Sequence, residues 1–225
     1  MPINSDFKHC DIKMVDKRNP TIFLLHGFMS NREIQFRKLK KEIKYGDLSE
    51  YNLISCDANG HGHNREGSFR DWNEAFDEEE KMINDIEGDV ILIGHSMGAT
   101  KAISHGLINP KVTKVIAISG LYDDDELRMI GEKLKLPNYR RLVLINLKKL
   151  NKAFPKNNKD KTYSNDHSNI YLIHGRQDTT VSIDEFYKNK ENLDIPDDNT
   201  LIVNGKHIID ENRKVIKFIK EKLKE

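Results

Sequence analysis

Hydrophobic residues along the chain are grouped in short, nearly continuous runs, separated by longer segments that mix apolar and polar positions. The runs are rich in β-branched side chains, do not alternate between apolar and polar residues, and mostly end at Gly, Asp or His. Such runs are typical of strands that are buried on both faces of a parallel sheet. They predict strands over Thr21 to Leu25, Asn52 to Cys56, Val90 to Ile93, Val115 to Ser119, Ile170 to Ile173 and Thr200 to Val203.

Between these runs, apolar residues recur at the spacing of a helix with one buried face. This pattern predicts helices over Arg32 to Lys44, Trp72 to Ile86, Met97 to Ile108, Ile183 to Asn192 and Ile209 to Leu223. Strands and helices that alternate along a chain form a mostly parallel central sheet flanked by helices and joined by right-handed crossovers. The predicted fold class is therefore α/β.

One stretch interrupts this alternation. Leu121 to Ser168 contains no clear strand, whereas connections in α/β folds usually take only a few residues. Within it, Asp124 to Leu134 and Tyr139 to Leu150 have helical spacing. We interpret the stretch as a small helical cap, residues 121–168, inserted into an α/β core that consists of residues 1–120 and 169–225.

The length and net charge of the chain indicate how many domains it forms and which partners it is unsuited to bind. The 225 residues suffice for one domain with an insertion, and the formal net charge is only +1. Lysines and acids are interleaved, as on a solvated surface, so we expect no nucleic-acid or anionic-membrane partner. No apolar run reaches the roughly 20 residues of a membrane span, and the first residues lack the layout of a secretory signal. We therefore expect a cytoplasmic protein.

The two cysteines, Cys10 and Cys56, are far apart in the sequence and have neither metal-binding nor redox-motif spacing. Because Cys56 lies in an apolar run, we interpret it as a small buried hydrophobic side chain. This pattern agrees with a reducing compartment.

Three chemically active residues follow three of the predicted strands. Ser96 follows the run VILIGH, Asp178 follows IYLIHGRQ, and His207 follows TLIVNGK. In open parallel sheets the ligand lies at the carboxyl ends of the strands, so we expect these side chains to lie at one edge. A serine hydroxyl needs a base to become a nucleophile, an imidazole titrates near neutral pH, and a buried carboxylate orients the imidazole. Together they predict nucleophilic catalysis by Ser96.

The sequence around Ser96 fits that role. Gly94 and Gly98 stand two positions to either side of it, where a strand passes directly into a helix. Small residues there allow a strained turn, and the start of the helix favours negative charge.

Five short motifs extend the pattern over the chain: HGF at 26–28, DANGHGHN at 57–64, GHSMG at 94–98, HGRQD at 174–178 and GKH at 205–207. From about Pro20 to the end of the sequence, the chain resembles the α/β-hydrolase-fold serine hydrolases, in particular small carboxylesterases and monoacylglycerol lipases. That resemblance implies an eight-stranded sheet and neither a cofactor nor a metal. Since only about 20 residues precede the first clear strand, we expect one N-terminal strand to be missing.

Carried over to this sequence, the resemblance implies that Ser96 is the nucleophile, His207 the general base and Asp178 the orienting acid. The backbone N–H groups of Met97 and Phe28 would form the oxyanion hole. The implied reaction is hydrolysis of a small-molecule carboxylic ester through an acyl-enzyme. The chemistry itself does not choose among esters, thioesters and amides, so a thioesterase or a peptidase remains an alternative.

Residues that lie beside these motifs or in the predicted cap are candidates for lining the substrate pocket. Candidates are Met29, Leu121, Tyr122 and Met129, each of which could equally pack in the core or the cap. An alternative orienting acid is Asp123 or Asp124, because some hydrolases of this fold draw their acid from the strand that precedes these residues.

Three other readings of the motifs stay open. HGFMS and DANGHG also resemble lyases and C–C hydrolases of this fold that act on carboxylated substrates, for which Arg128, Lys133, Arg140 and Arg141 could hold an anion. A hydrolase-fold binding module is a third possibility, although such proteins often lack a triad member. His61 and His63 invite a metal site but have no further ligand nearby in the sequence, so we expect none. We interpret His26, His95 and His174 as structural.

Overall fold

A seven-stranded β-sheet forms the centre of the computed structural model, which describes residues 8–65, 72–121 and 167–225. The strands are β1 Cys10–Lys13, β2 Thr21–Leu25, β3 Asn52–Cys56, β4 Val90–His95, β5 Val112–Ile118, β6 Ile170–Gly175 and β7 Thr200–Val203. Their order in the sheet is β1-β3-β2-β4-β5-β6-β7. Strand β1 is antiparallel to β3, and the other neighbouring pairs are parallel. The predicted α/β class with a mostly parallel sheet is confirmed.

Helices follow the strands along the chain: α1 Arg37–Tyr45, α2 Trp72–Asp85, α3 Met97–Ile108, α4 Ile183–Asn192 and α5 Arg213–Lys224. Helices α3 and α4 have the predicted bounds. Helix α1 begins later than predicted, after Phe36, whose backbone N–H donates to the carboxylate of Asp210. Helix α5 also begins later, because the side chain of Asn212 caps it by accepting from the N–H of Lys214.

Both faces of the sheet are buried, which explains why its strands are apolar without alternation. In β2, Ile22 and Leu24 belong to a core formed with α1 and α5, while Phe23 and Leu25 belong to a core formed with α2 and α3. The five residues of β2 and the six residues of both β4 and β6 are all buried. The sheet therefore provides a rigid frame between two helical layers.

Strand β1 was not predicted, and it overturns the interpretation of the cysteines. It places Cys10 directly opposite Cys56 of β3, with the two Cα atoms 4.0 Å apart, and the residues form a disulfide. Reading Cys56 as an isolated hydrophobic side chain was wrong because antiparallel pairing brings together residues that are 46 positions apart. Disulfides are typical of oxidising compartments, so the cysteines no longer support the expected reducing one.

A buried polar network joins α2 to α3. The ammonium of Lys101 lies 2.7 Å from a carboxylate oxygen of Glu79, and both side chains are buried. The ring nitrogens of His105 lie 3.3 Å from Glu79 and 2.9 Å from Glu80, and the ring stacks on Phe76 at 3.8 Å. Carboxylates only accept hydrogen bonds, so His105 donates from both nitrogens and carries a positive charge. Burial lowers the pKa of His105, but hydrogen bonds to Glu79 and Glu80 outweigh it and raise the pKa overall.

The predicted cap lies almost entirely outside the described residues. Tyr122, Met129 and both predicted cap helices fall in 122–166. In the parts of the chain that the structure describes, no helix is both long enough and apolar enough to cross a membrane.

Candidate active site

The residues singled out by the sequence lie at one edge of the sheet. Strands β2, β4, β6 and β7 run in the same direction, so their carboxyl ends meet there. Gly27, Ser96, Asp178 and His207 all follow the ends of these strands. This edge is where open α/β sheets bind their ligands.

Ser96 occupies a strained turn between β4 and α3. Its φ is 54° and its ψ is −117°, a backbone conformation that residues with side chains rarely adopt. Its N–H donates to the carbonyl of Ile118 on the neighbouring strand at 2.8 Å. The turn thus holds Ser96 at the start of a helix, where unpaired N–H groups favour an anion.

The two glycines of the GHSMG motif are required by close packing. A methyl group on Gly94 would lie 2.1 Å from the carbonyl oxygen of Gly98. One on Gly98 would lie 2.0 Å from the carbonyl oxygen of Leu25 in β2. Only glycine lets α3 approach both strands this closely, so the motif has a steric reason as well as a chemical one.

Asp178 and His207 form a hydrogen-bonded pair. Nδ1 of His207 lies 2.7 Å from Oδ2 of Asp178, whose carboxylate is fully buried. The other oxygen, Oδ1, accepts the N–H groups of Thr180 and Val181 at 2.8 and 2.9 Å. Burial raises the pKa of Asp178, but the bond to His207 and these N–H groups outweigh it, and the pKa is lowered. Asp178 therefore stays ionised and accepts the proton on Nδ1 of His207, which leaves a lone pair on Nε2 when the ring is neutral.

His95 connects the serine turn to the histidine loop. It directly precedes Ser96, and its ring lies against that of His207 with centroids 4.9 Å apart. Its Nε2 also lies 2.9 Å from the carbonyl oxygen of His207. These contacts bring the loops that carry Ser96 and His207 together, and they were not foreseen from the sequence, which indicated only a structural role for His95.

The loop after β2 lies against the serine turn. A methyl group on Gly27 would lie 3.4 Å from Cβ of Ser96, so the segment that leads to Phe28 passes next to Ser96. Met97, on the other side, is the first residue of α3, where a backbone N–H has no acceptor within the helix. Both predicted oxyanion donors therefore belong to segments that border Ser96.

His26 holds this loop in place. Its Nδ1 donates to the carbonyl of Gly27 at 2.8 Å, and its Nε2 accepts the N–H of Ala58 at 2.9 Å. Burial lowers the pKa of His26 to about 4, so the ring is neutral. His61 packs beside His26 and edge-on to Phe28, with centroids 5.2 and 5.7 Å away.

The DANGHGHN turn is built around Asp57. Its buried carboxylate accepts the N–H groups of Arg32 and His63 at 2.8 and 2.9 Å and pairs with the guanidinium of Arg32. Burial raises the pKa of Asp57, but these N–H groups and the charge of Arg32 lower it overall. Asp57 thus anchors the chain after β2 to β3. In residues 8–65, 72–121 and 167–225, no three His, Cys, Asp or Glu side chains are grouped as metal ligands would be.

The pocket candidates separate into two groups. Met29, two residues after Gly27, is 76% exposed and has a positive φ of 57°. Leu121 is buried and packs on Val181, and its N–H donates to Oγ1 of Thr100 at 3.1 Å. It therefore anchors the chain after β5 and offers little surface to a substrate. Tyr122, Met129 and the alternative acids Asp123 and Asp124 lie outside the described residues.

A sequence model of a family described as serine aminopeptidase, S33, matches residues 16–206. The chain belongs to this family. The match covers every strand except β1 and ends one residue before His207. A comparison with curated protein sequences finds no significant match.

Solved structures with this fold include several hydrolases. An esterase from Pyrococcus furiosus has a TM-score of 0.67 and 20% identity, over 97% of this chain and 94% of the esterase. The mouse α/β hydrolase domain-containing protein 10 has a TM-score of 0.66 and 16% identity, over 96% and 92%. An enol-lactonase from Burkholderia xenovorans has a TM-score of 0.67 and 12% identity, over 96% of both chains. The S33-family chain is therefore a hydrolase with the α/β-hydrolase fold.

Proposed function

We propose that this S33-family hydrolase cleaves carboxylic ester bonds through a Ser96–His207–Asp178 triad. The observation that carries the proposal is the 2.7 Å hydrogen bond between His207 and Asp178, at the same sheet edge as the strained turn of Ser96. A buried, ionised carboxylate that orients an imidazole, at the sheet edge that also carries a serine, is what nucleophilic acyl transfer needs.

The reaction proceeds in two halves. Nε2 of His207 takes the proton of the Ser96 hydroxyl while Oγ attacks the ester carbonyl, and the N–H groups of Met97 and Phe28 stabilise the oxyanion. The carbon–oxygen bond to the alcohol then breaks, and the imidazolium returns its proton to the leaving alcohol. Water repeats the sequence on the acyl-enzyme and releases the acid and free Ser96. No cofactor takes part.

Residues 121–168 have a natural place in this proposal as a cap over the site. The chain leaves the sheet at the carboxyl end of β5, next to β4 and therefore next to Ser96. An insertion that begins there starts at the rim of the site. We propose that it provides most of the surface that selects the acyl group.

A second candidate function is peptide hydrolysis, favoured by the match to a family described as serine aminopeptidase. The same triad would attack an amide carbonyl, and the imidazolium would protonate the leaving amine. Ester cleavage remains our first proposal, since the small cap that we infer usually accompanies modest carboxylic esters in similar proteins.

The deciding experiment compares wild type with Ser96→Ala. Both proteins are incubated with a fluorophosphonate probe, with p-nitrophenyl esters of two to twelve carbons, and with aminoacyl p-nitroanilides. Labelling and ester turnover that both disappear in Ser96→Ala would support the proposal, whereas faster anilide turnover would favour the peptidase. Labelling without turnover of either substrate would favour a lyase or C–C hydrolase, and no labelling would overturn the role of Ser96.

A further inference from the structure

The backbone carbonyl of His207 receives two side-chain hydrogen bonds. Nε2 of His95 lies 2.9 Å from this oxygen, and Oγ of Ser119 lies 3.3 Å from it. His95 is 3% exposed and Ser119 is fully buried, whereas the His207 side chain is 19% exposed. Because two buried side chains donate to the same carbonyl, they fix the backbone at His207, the residue whose side chain would be the base.

The chemistry of the contact defines the protonation state of His95. A carbonyl oxygen only accepts, so Nε2 of His95 carries the proton and Nδ1 holds a lone pair. That Nδ1 is buried and has no hydrogen-bond partner among the described residues. A methyl group on Gly27 would lie 3.0 Å from it, so the ring packs against the loop after β2.

His95 is therefore a hydrogen-bond donor whose ring stays uncharged near neutral pH. Burial, and then the neighbouring His207 side chain, lower the pKa of His95 to about 4, against weaker opposing effects of the bond to the His207 carbonyl and of Asp210 and Asp178. The ring remains neutral over the pH range in which an ordinary histidine titrates, near 6.5. Its hydrogen bond to the carbonyl persists while His207 gains and loses its catalytic proton.

Other anchors of the loop come from β6 and the residues that follow it. Gly205 accepts the N–H of Gln177 at 2.9 Å, and a methyl group on Gly175 would lie 2.3 Å from the carbonyl of Lys206. Asp178 holds the imidazole itself. His95 directly precedes Ser96 and links the turn at Ser96 to this loop in two ways. Its side chain donates to the carbonyl of His207, and its ring packs against the ring of His207.

We propose that His95 is a positioning residue for catalysis: by donating from Nε2 to the carbonyl of His207, it sets the distance and angle between the base and Ser96. The inference rests on the proposed function of the triad. A misplacement of about 1 Å at such a site can cost on the order of 10² in rate. The contribution of His95 should therefore appear in turnover rather than in binding.

Two substitutions of similar size separate the hydrogen bond from packing. In His95→Gln an amide nitrogen can take the place of Nε2, whereas in His95→Phe the ring is kept and the donor is lost. We expect kcat of His95→Phe to fall about tenfold to a hundredfold with KM within about threefold, and His95→Gln to recover most of the loss. Ser119→Ala, which removes the other donor, should show a smaller loss, and the double variant should show coupling.

A second readout does not depend on turnover. The NMR resonance of the His207 Nδ1 proton and the pH titration of its ring report the orientation of the imidazole on Asp178. In His95→Phe we expect the resonance of the His207 Nδ1 proton to shift or broaden. We also expect the midpoint of the His207 titration to move, together with the limb of the pH profile of kcat/KM that reports the same group. A purely structural His95 would lower the melting temperature of both variants and leave the titration and the kcat of the folded fraction unchanged.

The outcomes distinguish the two proposals. If wild type turns over esters and His95→Phe keeps the wild-type kcat and His207 titration, the positioning role is overturned and the triad stands. If wild type shows neither labelling nor turnover, the proposed function fails, and the NMR comparison still decides whether His95 orients His207. Equal losses of kcat in the Gln and Phe variants, with an unchanged His207 resonance, would also overturn the positioning role.

Discussion

Asp178 accepts a hydrogen bond from His207 at 2.7 Å, although the two residues stand 29 positions apart and follow different strands. The parallel pairing of β6 with β7 makes this contact possible, because it brings the loops after both strands to the same edge. Backbone N–H groups on the other oxygen of Asp178 then fix the plane of the carboxylate. Each residue is thus held by the fold before any substrate arrives.

The first prediction concerns this pair. Asp178→Asn preserves shape but can no longer bind the Nδ1 proton as an anion, so His207 is stabilised in the wrong tautomer. We expect kcat for the best ester to fall by about 10⁴, as in a comparable triad, with a folded protein by circular dichroism.

The matched control is Asp123→Asn, which changes the alternative acid. Activity of this variant should stay within about threefold of wild type. Loss of turnover in Asp123→Asn, combined with an active Asp178→Asn, would assign the orienting acid to the segment after β5 instead.

The second prediction follows from the charged His105. Its pKa is raised in the folded protein by Glu79 and Glu80, which outweigh its burial. A group with a raised folded pKa contributes stability that is fully present below its unfolded value, about 6.5, and is lost as pH rises through the folded value. We therefore expect the free energy of unfolding to fall as pH increases above about 6.5, by about 1.4 kcal/mol for each unit of pKa difference.

Urea unfolding of wild type and His105→Gln between pH 5 and 9 tests this expectation. The substitution removes the titrating ring, so the variant should be less stable at low pH and its stability should depend less on pH. Parallel curves for the two proteins over the whole range would contradict the ionic state assigned to His105.

The third prediction concerns the disulfide. Cys10 and Cys56 close a loop across 46 positions and attach the edge strand β1 to β3. Breaking a bond that closes such a loop typically lowers the free energy of unfolding by about 2–4 kcal/mol. We expect dithiothreitol to lower the melting temperature of wild type by several degrees.

The double variant Cys10→Ala/Cys56→Ala is the control. It should melt at the temperature of reduced wild type and should not respond to dithiothreitol. Free thiols should also be titrated in protein that has been purified under air and then denatured without a reductant. Two free thiols per chain would mean that the disulfide does not form.

Much of this fold could be predicted because its signals are local. The bounds of α3 and α4 follow from helical spacing next to Ser96 and Ser182, and Ser182 caps α4 as its side chain accepts from the N–H of Asp184. The order of Ser96, Asp178 and His207 after three strands is likewise visible in the sequence.

The remainder depends on partners that are distant in sequence. Strand β1 is too short and too polar to stand out, and only its pairing with β3 reveals the bond from Cys10 to Cys56. Lysines read as surface residues include Lys101, which is buried on Glu79. The contact of His95 with the His207 carbonyl involves a backbone atom, which has no signature in sequence.

The junction between β5 and β6 has a consequence for how this protein could change over time. The two strands pair in register from Val115 with Ile170 to Ile118 with Ile173, so their hydrogen bonds do not depend on what the chain does between them. Leu121, which follows β5, packs in the interior against Val181, so the chain is also fixed where it leaves the sheet. Under the proposed function, insertions, deletions and exchanges in residues 122–166 would therefore alter substrate choice, while the frame that carries Ser96, Asp178 and His207 is inherited intact.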